Sequence, residues 1–154
     1  WAGAMGQTQF MPSSYLRYAA DGNGDGEKNI WTEHYDVFAS IANYLHTEGW
    51  NPNLPWGIEV TVNQPIDMAL SGIEEGKQRW QNRGVSLKFQ TPETQQKLTA
   101  LSQTDLWLVR PDRELGRAFL VSNNYRTLLH WNKSNYFAVS IGMFADRIQQ
   151  RVGE

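Results

Sequence analysis

Hydrophobic residues recur along much of this chain at the spacing of an α-helix, and the pattern predicts a mainly helical fold. The strongest helix is predicted over 33–48, with Thr32 as its N-cap and Gly49 in the left-handed conformation that often ends a helix. Its apolar stripe is formed by Val37, Phe38, Ile41, Tyr44 and Leu45. A second long helix is predicted over 134–149. We expect its buried stripe to consist of Phe137, Ile141, Phe144, Ala145 and Ile148.

Shorter helices and a small sheet are predicted in the rest of the chain. The shorter helices cover 13–20, 67–82, 93–101 and 123–130. A strand is predicted at 57–63, because apolar and polar residues alternate there. Two further strand-like runs, 106–109 and 117–121, flank a turn rich in Pro, Asp and Gly, which favours an antiparallel hairpin. The predicted fold class is mainly α with some β structure (α+β), in a single domain over 1–154.

The composition is that of an ordinary globular domain. Hydrophobic residues make up 40% of the 154 residues and charged residues 19%, which excludes a disordered protein. The formal net charge of −2 argues against a nucleic-acid partner, since such proteins usually carry a clustered basic face. No apolar run is long enough to span a membrane as a helix. The chain has no cysteine, so disulfides and thiolate metal sites are excluded.

The segment from Trp1 to Ser14 contains the most distinctive chemistry. Gln9 has an amide that can donate and accept hydrogen bonds, as is needed to hold a sugar hydroxyl or N-acetyl group. Pro12 and the serines after it would start a helix with a Ser cap. Four small residues would let a backbone approach a bulky group closely: Ala2, Gly3, Ala4 and Gly6. The residues alone are also compatible with a glycine-rich turn that merely leads into a helix.

The same segment resembles a family signature. The run Gly3-Ala-Met-Gly6, followed by Gln9-Phe-Met-Pro-Ser-Ser14, is similar to the sequence after the catalytic helix in lytic transglycosylases of the membrane-bound murein transglycosylase B family. The resemblance extends through most of the chain and is loose only over 57–105. It implies a lysozyme-like transglycosylase core that acts on bacterial peptidoglycan. It also implies that the chain is the C-terminal part of the catalytic region.

The resemblance places the general acid outside this chain. In that family one glutamate upstream of the signature protonates the leaving oxygen, and the 6-hydroxyl of N-acetylmuramic acid then closes a 1,6-anhydro ring. We therefore expect the acid upstream of residue 1 and assign no catalytic residue here. Such an acid needs a pKa raised by burial. Seven glutamates of this chain are unconvincing candidates, because they belong to the acidic loop or the sequence around them gives no sign of such burial: Glu27, Glu33, Glu59, Glu74, Glu75, Glu93 and Glu114.

An acidic loop follows the first predicted helix. Four residues supply oxygens at positions 1, 3, 5 and 7 of an EF-hand pattern, the last through its backbone carbonyl: Asp21, Asn23, Asp25 and Glu27. Position 12 is Thr32 instead of the usual Glu, so the second half departs from the pattern. By the family resemblance, Asp36 on the next helix is a better closing acid than Glu33. We expect a structural Ca²⁺ site over 21–36, and the alternative is a solvated turn.

The resemblance further implies four substrate-binding residues. Gln9 matches the glutamine of the signature. Tyr44 matches a tyrosine that lines the cleft, although its place in the apolar stripe also suits a core residue. The run from Trp131 to Ser134 resembles a Tyr-Asn-Arg-Ser turn of the family, so Trp131 and Asn132 would lie near the sugar. Trp131 keeps the stacking surface of the usual tyrosine but lacks its hydroxyl, and Asn132 could equally be a turn residue.

Three functions are compatible with these features. The first is a lytic transglycosylase of the bacterial periplasm, with peptidoglycan glycan strands as its partner and a possible outer-membrane lipid anchor outside this chain. The second is a non-catalytic peptidoglycan-binding module on a degenerate transglycosylase scaffold. The third is a calcium-regulated interaction protein, which predicts a large calcium-dependent change of shape and no glycan affinity. A glutamate on an amphipathic helix upstream of Trp1 would favour the first over the second.

Overall fold

A computed structural model describes residues 3–67, 72–113 and 116–152 of the chain. The chain divides into two compact units, a first unit over Trp1–Trp50 and a second unit over Asn51–Glu154. The prediction of a single domain over 1–154 stays a prediction. Among the described residues, no helix combines the length and apolar character needed to cross a bilayer.

From residue 3 onward, where it is described, the first unit contains two helices, α1 (Pro12–Tyr18) and α2 (His34–Thr47). Helix α1 begins at Pro12, a residue suited to the first turn because that turn has no partner for its N–H. The expected Ser cap is wrong, because Met11 is the N-cap and its side chain makes no capping hydrogen bond. The expected Thr32 cap of α2 is also wrong. Glu33 holds that position, and its Oε1 accepts from the N–H of Tyr35 at 3.1 Å.

The buried face of α2 differs from the predicted apolar stripe. Val37 and Tyr44 are buried as expected, but Phe38 is 67% exposed. Asp36 and Ser40 are both fully buried in its place. Their oxygens accept hydrogen bonds from the backbone of the preceding loop, from Gly22 and Ala20 respectively. A pattern of apolar residues alone misses this face, because half of it is polar.

The second unit is built on a four-stranded antiparallel sheet. Its strands are β1 (Gly57–Val62), β2 (Val85–Leu87), β3 (Trp107–Val109) and β4 (Ala118–Val121). The strand order is β2-β1-β4-β3, with register pairs such as Ile58 with Leu120. The predicted β3–β4 hairpin is confirmed. The sequence pattern missed β2, which pairs with β1 through only three residues.

The described residues of the second unit also form four helices: α3 (Lys77–Asn82), α4 (Pro92–Leu101), α5 (Asn123–Trp131) and α6 (Asn135–Val152). The helix predicted over 67–82 is wrong over 72–76, and residues 68–71 lie outside the described residues. Gly72 takes a left-handed φ of 86°. Glu75 is extended, since its backbone exchanges two hydrogen bonds of 2.9 Å with Leu106.

The predicted buried stripe of α6 is wrong. Phe144 is 64% exposed, and Ile141 and Ile148 are 41% and 48% exposed. The helix instead buries a face of small side chains: Ala138, Val139 and Gly142. A Cβ added at Gly142 would lie 2.4 Å from the Trp56 ring, so glycine is needed for this close approach.

Candidate functional site

The signature segment forms a tight turn that exposes Gln9. Met5 and Phe10 close the turn through two backbone hydrogen bonds of 2.8 and 3.1 Å. Gln9 takes a φ of 52°, in the left-handed region that non-glycine residues rarely adopt. Its Nε2 donates to the carbonyl of Gly6 at 2.8 Å. A Cβ at Gly6 would lie 2.6 Å from the carbonyl oxygen of Ile30, so here a small residue does permit a close backbone approach.

Below this turn lies a cluster of buried aromatic rings. Phe10, Tyr18 and Tyr44 are 2%, 6% and 8% exposed. The Tyr18 and Tyr44 ring centroids are 4.5 Å apart, and the Phe10 centroid lies 5.9 Å from that of Tyr44. Burial raises the pKa of the Tyr44 phenol, and the nearby Glu48 carboxylate adds to the rise. Within the first unit Tyr44 is therefore a core residue, and its contact with substrate stays a prediction.

The acidic loop is ordered by its own side chains. Asp21 accepts hydrogen bonds from the N–H groups of Gly24 at 2.6 Å and Gly26 at 2.8 Å, on separate carboxylate oxygens. Both hydrogen bonds lower the pKa of Asp21, and the bond from Gly26 has the larger effect. Asn23 and Asp25 repeat the arrangement, each accepting from the N–H two residues ahead at 3.0 and 2.8 Å. The oxygens at positions 1, 3 and 5 are thus fixed by backbone donors.

Asp36 ties the two ends of this loop to helix α2. It is fully buried, and its two carboxylate oxygens accept from the N–H of Gly22 at 2.8 Å and of Asn29 at 2.7 Å. Each oxygen keeps a second lone pair. In the part of the chain that the structure describes, His, Asp and Glu side chains form no group of three or more that could hold a metal. The loop therefore has hard oxygen donors, but its carboxylates alone do not form a metal cluster.

The second unit contains the turn between α5 and α6. Trp131 is half-buried at the end of α5, and Asn132 is the exposed C-cap that follows. The Oδ1 of Asn132 accepts from the N–H of Ser134 at 3.0 Å, and Ser134 Oγ accepts from the N–H of Phe137 at 3.3 Å. Asn132 thus has the role of a turn residue between two helices. Its exposed amide N–H₂ gives the turn a donor on the surface.

Comparison with known proteins shows the family to which this chain is related. Residues 1–146 match the family described as Transglycosylase SLT domain. The chain belongs to this family. It is 32% identical over 143 residues to membrane-bound lytic murein transglycosylase B of Escherichia coli K12, covering 92% of this chain and 37% of that protein.

Solved structures of related transglycosylases share the fold. SltB3 from Pseudomonas aeruginosa, crystallised with NAG-NAM-pentapeptide, matches with a TM-score of 0.84 and 38% identity over 97% of this chain and 39% of that chain. Escherichia coli Slt35 in complex with calcium matches with a TM-score of 0.72 and 24% identity, over 99% of this chain and 46% of that one. The predicted lysozyme-like transglycosylase fold, mainly helical with a small antiparallel sheet, is confirmed. The chain spans less than half the length of these relatives.

None of the described glutamates of this chain with a resolved pKa shift suits a general acid. Arg117 and then Lys88 hold the pKa of Glu59 below its usual value by donating hydrogen bonds to it. Arg83 does the same for Glu75 through two hydrogen bonds of 2.8 Å. The remaining sequence candidates include Glu93, whose pKa is also lowered, Glu74, which pairs with Arg126, and Glu114, which lies outside the described residues.

The candidate residues fall into two groups, one in each unit. The first unit holds Gln9, Tyr44 and the acidic loop, and the second unit holds Trp131 and Asn132. Sequence reasoning missed Glu48 of the first unit, whose Oε1 accepts a short hydrogen bond from the Tyr18 hydroxyl. Glu48 lies at the end of an amphipathic helix, directly after the apolar stripe. This position is only a weak sequence signal for a functional residue, because exposed glutamates often occupy such positions.

Proposed function

We propose that this chain is part of a peptidoglycan lytic transglycosylase. The enzyme would cleave the β-1,4 bond between N-acetylmuramic acid and N-acetylglucosamine and leave a 1,6-anhydro end. The observation that supports this most is the Gln9 turn, an exposed amide held in a left-handed conformation inside the segment that carries the family signature. The relative SltB3 has been crystallised with NAG-anhNAM-pentapeptide as well, a ligand that carries the anhydro group.

The proposed reaction needs one proton donor and no water. The acid gives its proton to the glycosidic oxygen, and the bond from that oxygen to C1 breaks. The 6-hydroxyl oxygen of the same muramic acid bonds to C1 and returns its proton to the carboxylate, so protons and electrons balance. Gln9 and Asn132 would hold sugar hydroxyl or N-acetyl groups. The acid would lie outside this chain, a proposal supported by the lowered pKa values of Glu59 and Glu75 and by the ion pair of Glu74.

We also propose a structural Ca²⁺ in the acidic loop. The residues fit this ion, because carboxylate, amide and carbonyl oxygens are its usual ligands and backbone donors already fix three of them. Asp21, Asn23, Asp25 and the carbonyl of Glu27 would hold the ion, and Asp36 would close the site through its remaining lone pairs. The ion would neutralise the converging negative charge. It takes no part in the proposed bond cleavage.

The proposed site of action is the bacterial periplasm, where peptidoglycan lies. The Escherichia coli relative is described as membrane-bound. We propose that any attachment of this protein to the outer membrane is made by a lipid anchor outside this chain. Peptidoglycan glycan strands are the proposed partner.

Digestion of purified peptidoglycan by the full-length protein that carries this chain tests the proposed function. Mass spectrometry should find muropeptides with 1,6-anhydro ends, which are lighter by one water than products with reducing ends. Reducing ends alone would show a hydrolase and overturn the transglycosylase proposal. Binding of glycan strands without any cleavage would favour the alternative, a non-catalytic module on a degenerate scaffold.

A further inference from the structure

The Gln9 turn needs support from its surroundings. A non-glycine residue at a φ of 52° is strained, and such residues persist only where neighbouring structure holds them. The two backbone hydrogen bonds between Met5 and Phe10 close the turn, so the position of Phe10 decides whether Gln9 keeps this conformation. Phe10 is 2% exposed and is held by packing.

The packing around Phe10 comes from both helices of the first unit. The Tyr18 ring of α1 lies 6.3 Å from the Phe10 ring, and the Tyr44 ring of α2 lies 5.9 Å from it. The two tyrosine rings contact each other at 4.5 Å. Phe10 therefore rests on a pair of rings whose separation depends on how α1 and α2 are joined.

Two side-chain hydrogen bonds join the helices at this point, and one of them, from Asn43 Nδ2 of α2 to the backbone carbonyl of Tyr18 at 2.9 Å, does not involve the tyrosine hydroxyl. The Tyr18 hydroxyl donates to Oε1 of Glu48, the C-cap of α2. The N–H of Glu48 donates to the carbonyl of Tyr44 at 2.9 Å, so the carboxylate belongs to the same helical turn as the Tyr44 ring. Arg17 lies over the Tyr18 ring at 5.0 Å and places a positive charge near this bond.

We infer that Tyr18 and Glu48 are positioning residues for Gln9. Their hydrogen bond fixes the two tyrosine rings on which Phe10 packs, and Phe10 in turn holds the Gln9 turn in its strained conformation. The inference rests on the proposed role of Gln9 in glycan binding and adds the device that prepares Gln9 for it.

Hydrogen exchange of the 154-residue chain tests the mechanical part of this inference without any ligand. Tyr18→Phe and Glu48→Leu should each speed exchange of the Met5 and Phe10 amide protons by about 3- to 10-fold, the effect of losing one hydrogen bond. Glu48→Gln keeps an acceptor oxygen and should retain wild-type protection. Tyr15→Phe is the matched control, because it removes another tyrosine hydrogen bond of α1, the one to the Lys28 carbonyl. It should leave both amide protons unchanged.

A double variant, Tyr18→Phe with Gln9→Gly, distinguishes loss of support for the strained turn from a general loss of stability. Glycine adopts the left-handed conformation without strain, so Gln9→Gly should make the turn less dependent on its support. Tyr18→Phe should then accelerate exchange at Met5 and Phe10 less in the Gln9→Gly chain than in the wild type. An equal acceleration in both backgrounds, or none in either single variant, would overturn the inference.

Binding of soluble NAG-NAM-pentapeptide by the full-length protein that carries this chain tests the functional part of the inference. The dissociation constant should rise about 3- to 10-fold for Tyr18→Phe and Glu48→Leu, and stay near the wild-type value for Glu48→Gln and Tyr15→Phe. Unchanged affinity in Tyr18→Phe despite faster exchange would overturn the positioning role. No binding by the wild-type full-length protein would count against the proposed glycan recognition by Gln9, and so against the positioning role built on it. The hydrogen-exchange measurement would still show separately whether Tyr18 and Glu48 hold the Gln9 turn.

Discussion

Gln9 and Asn132 are the residues on which the proposed substrate contacts depend. Each presents an amide from a backbone turn, and each turn is closed by local hydrogen bonds. In the full-length enzyme, Gln9→Ala and Asn132→Ala should lower turnover on peptidoglycan about 10- to 100-fold. This follows if losing such a contact costs about 1–3 kcal/mol in the transition state.

The initial rate of anhydro-muropeptide release tests the prediction for Gln9→Ala and Asn132→Ala. The unfolding midpoint of each variant shows whether it is folded. Lys133→Ala is a matched control in the second turn, because it changes an exposed side chain between Asn132 and Ser134. Wild-type rates in both amide variants would remove these residues from the site.

At the residue scale, the sequence predicted candidate residues but not the hydrogen bonds and backbone conformations that the structure gives them. The signature predicted a hydrogen-bonding amide at Gln9, but not the left-handed φ of 52° of this residue. Asp36 was predicted as a metal ligand from family likeness. The structure shows a second use, the capping of two loop N–H groups, which depends on a distance between loop and helix that residue spacing does not give.

The sheet of the second unit contains a charge cluster whose effect on stability depends on pH. Glu59 of β1 accepts hydrogen bonds from Arg117, before β4, and from Lys88, after β2. Arg117 first and Lys88 second lower the folded-state pKa of Glu59 from its ordinary value of 4.5. The cluster therefore stabilises the fold fully above about pH 4.5, and this stability is lost as the pH falls through the lowered pKa.

Urea unfolding across this pH range measures the effect. Glu59→Gln should reduce the loss of stability on acidification, and Arg117→Met should do so more than Lys88→Met, since Arg117 is the stronger partner. Because Arg117 and Lys88 are partly exposed, salt should weaken the effect. An acid dependence that is the same in the wild type and in Glu59→Gln would contradict the prediction.

The acidic loop gives a second prediction at the scale of elements. If Ca²⁺ binds over 21–36, calcium at a hundredfold above its dissociation constant should stabilise the fold by about 2.7 kcal/mol. Thermal unfolding with calcium and with chelator should then differ, and Asp21→Ala or Asp25→Ala should abolish the difference. Asp112→Ala, an exposed aspartate of the second unit, is the control that should keep it. Equal midpoints at millimolar calcium would exclude the site.

Helix and strand positions were largely predictable, but burial was not. The periodicity of 134–149 correctly predicted α6, because period depends only on local sequence. Which face is buried depends on the partner: the Trp56 ring accepts only the small residues around Gly142. The helix prediction was wrong over 72–76 for a similar reason. The pairing of Glu75 with Leu106 is a long-range contact, which local sequence does not show.

The family relation extends across both units. Residues 1–146 match the family, yet the alignment covers only 37% of the Escherichia coli relative. The described chain offers amide groups and aromatic rings. Its described glutamates with shifted pKa values are held below their usual range by neighbouring donors, among them Glu59 and Glu75. A general acid requires the opposite environment, an apolar one that raises the pKa.

We therefore predict that the purified 154-residue chain releases no anhydro-muropeptides above background, while the full-length protein does. Without a proton donor the leaving oxygen departs as an alkoxide, and the rate advantage of general acid catalysis, about 10²- to 10⁴-fold, is lost. The assay is mass spectrometry of digests at equal molar concentration, with circular dichroism to show that the chain is folded. Robust release by the folded chain would place the acid inside it. Glu48 would then be the first glutamate to replace by Gln, because it lies against the aromatic cluster below Gln9.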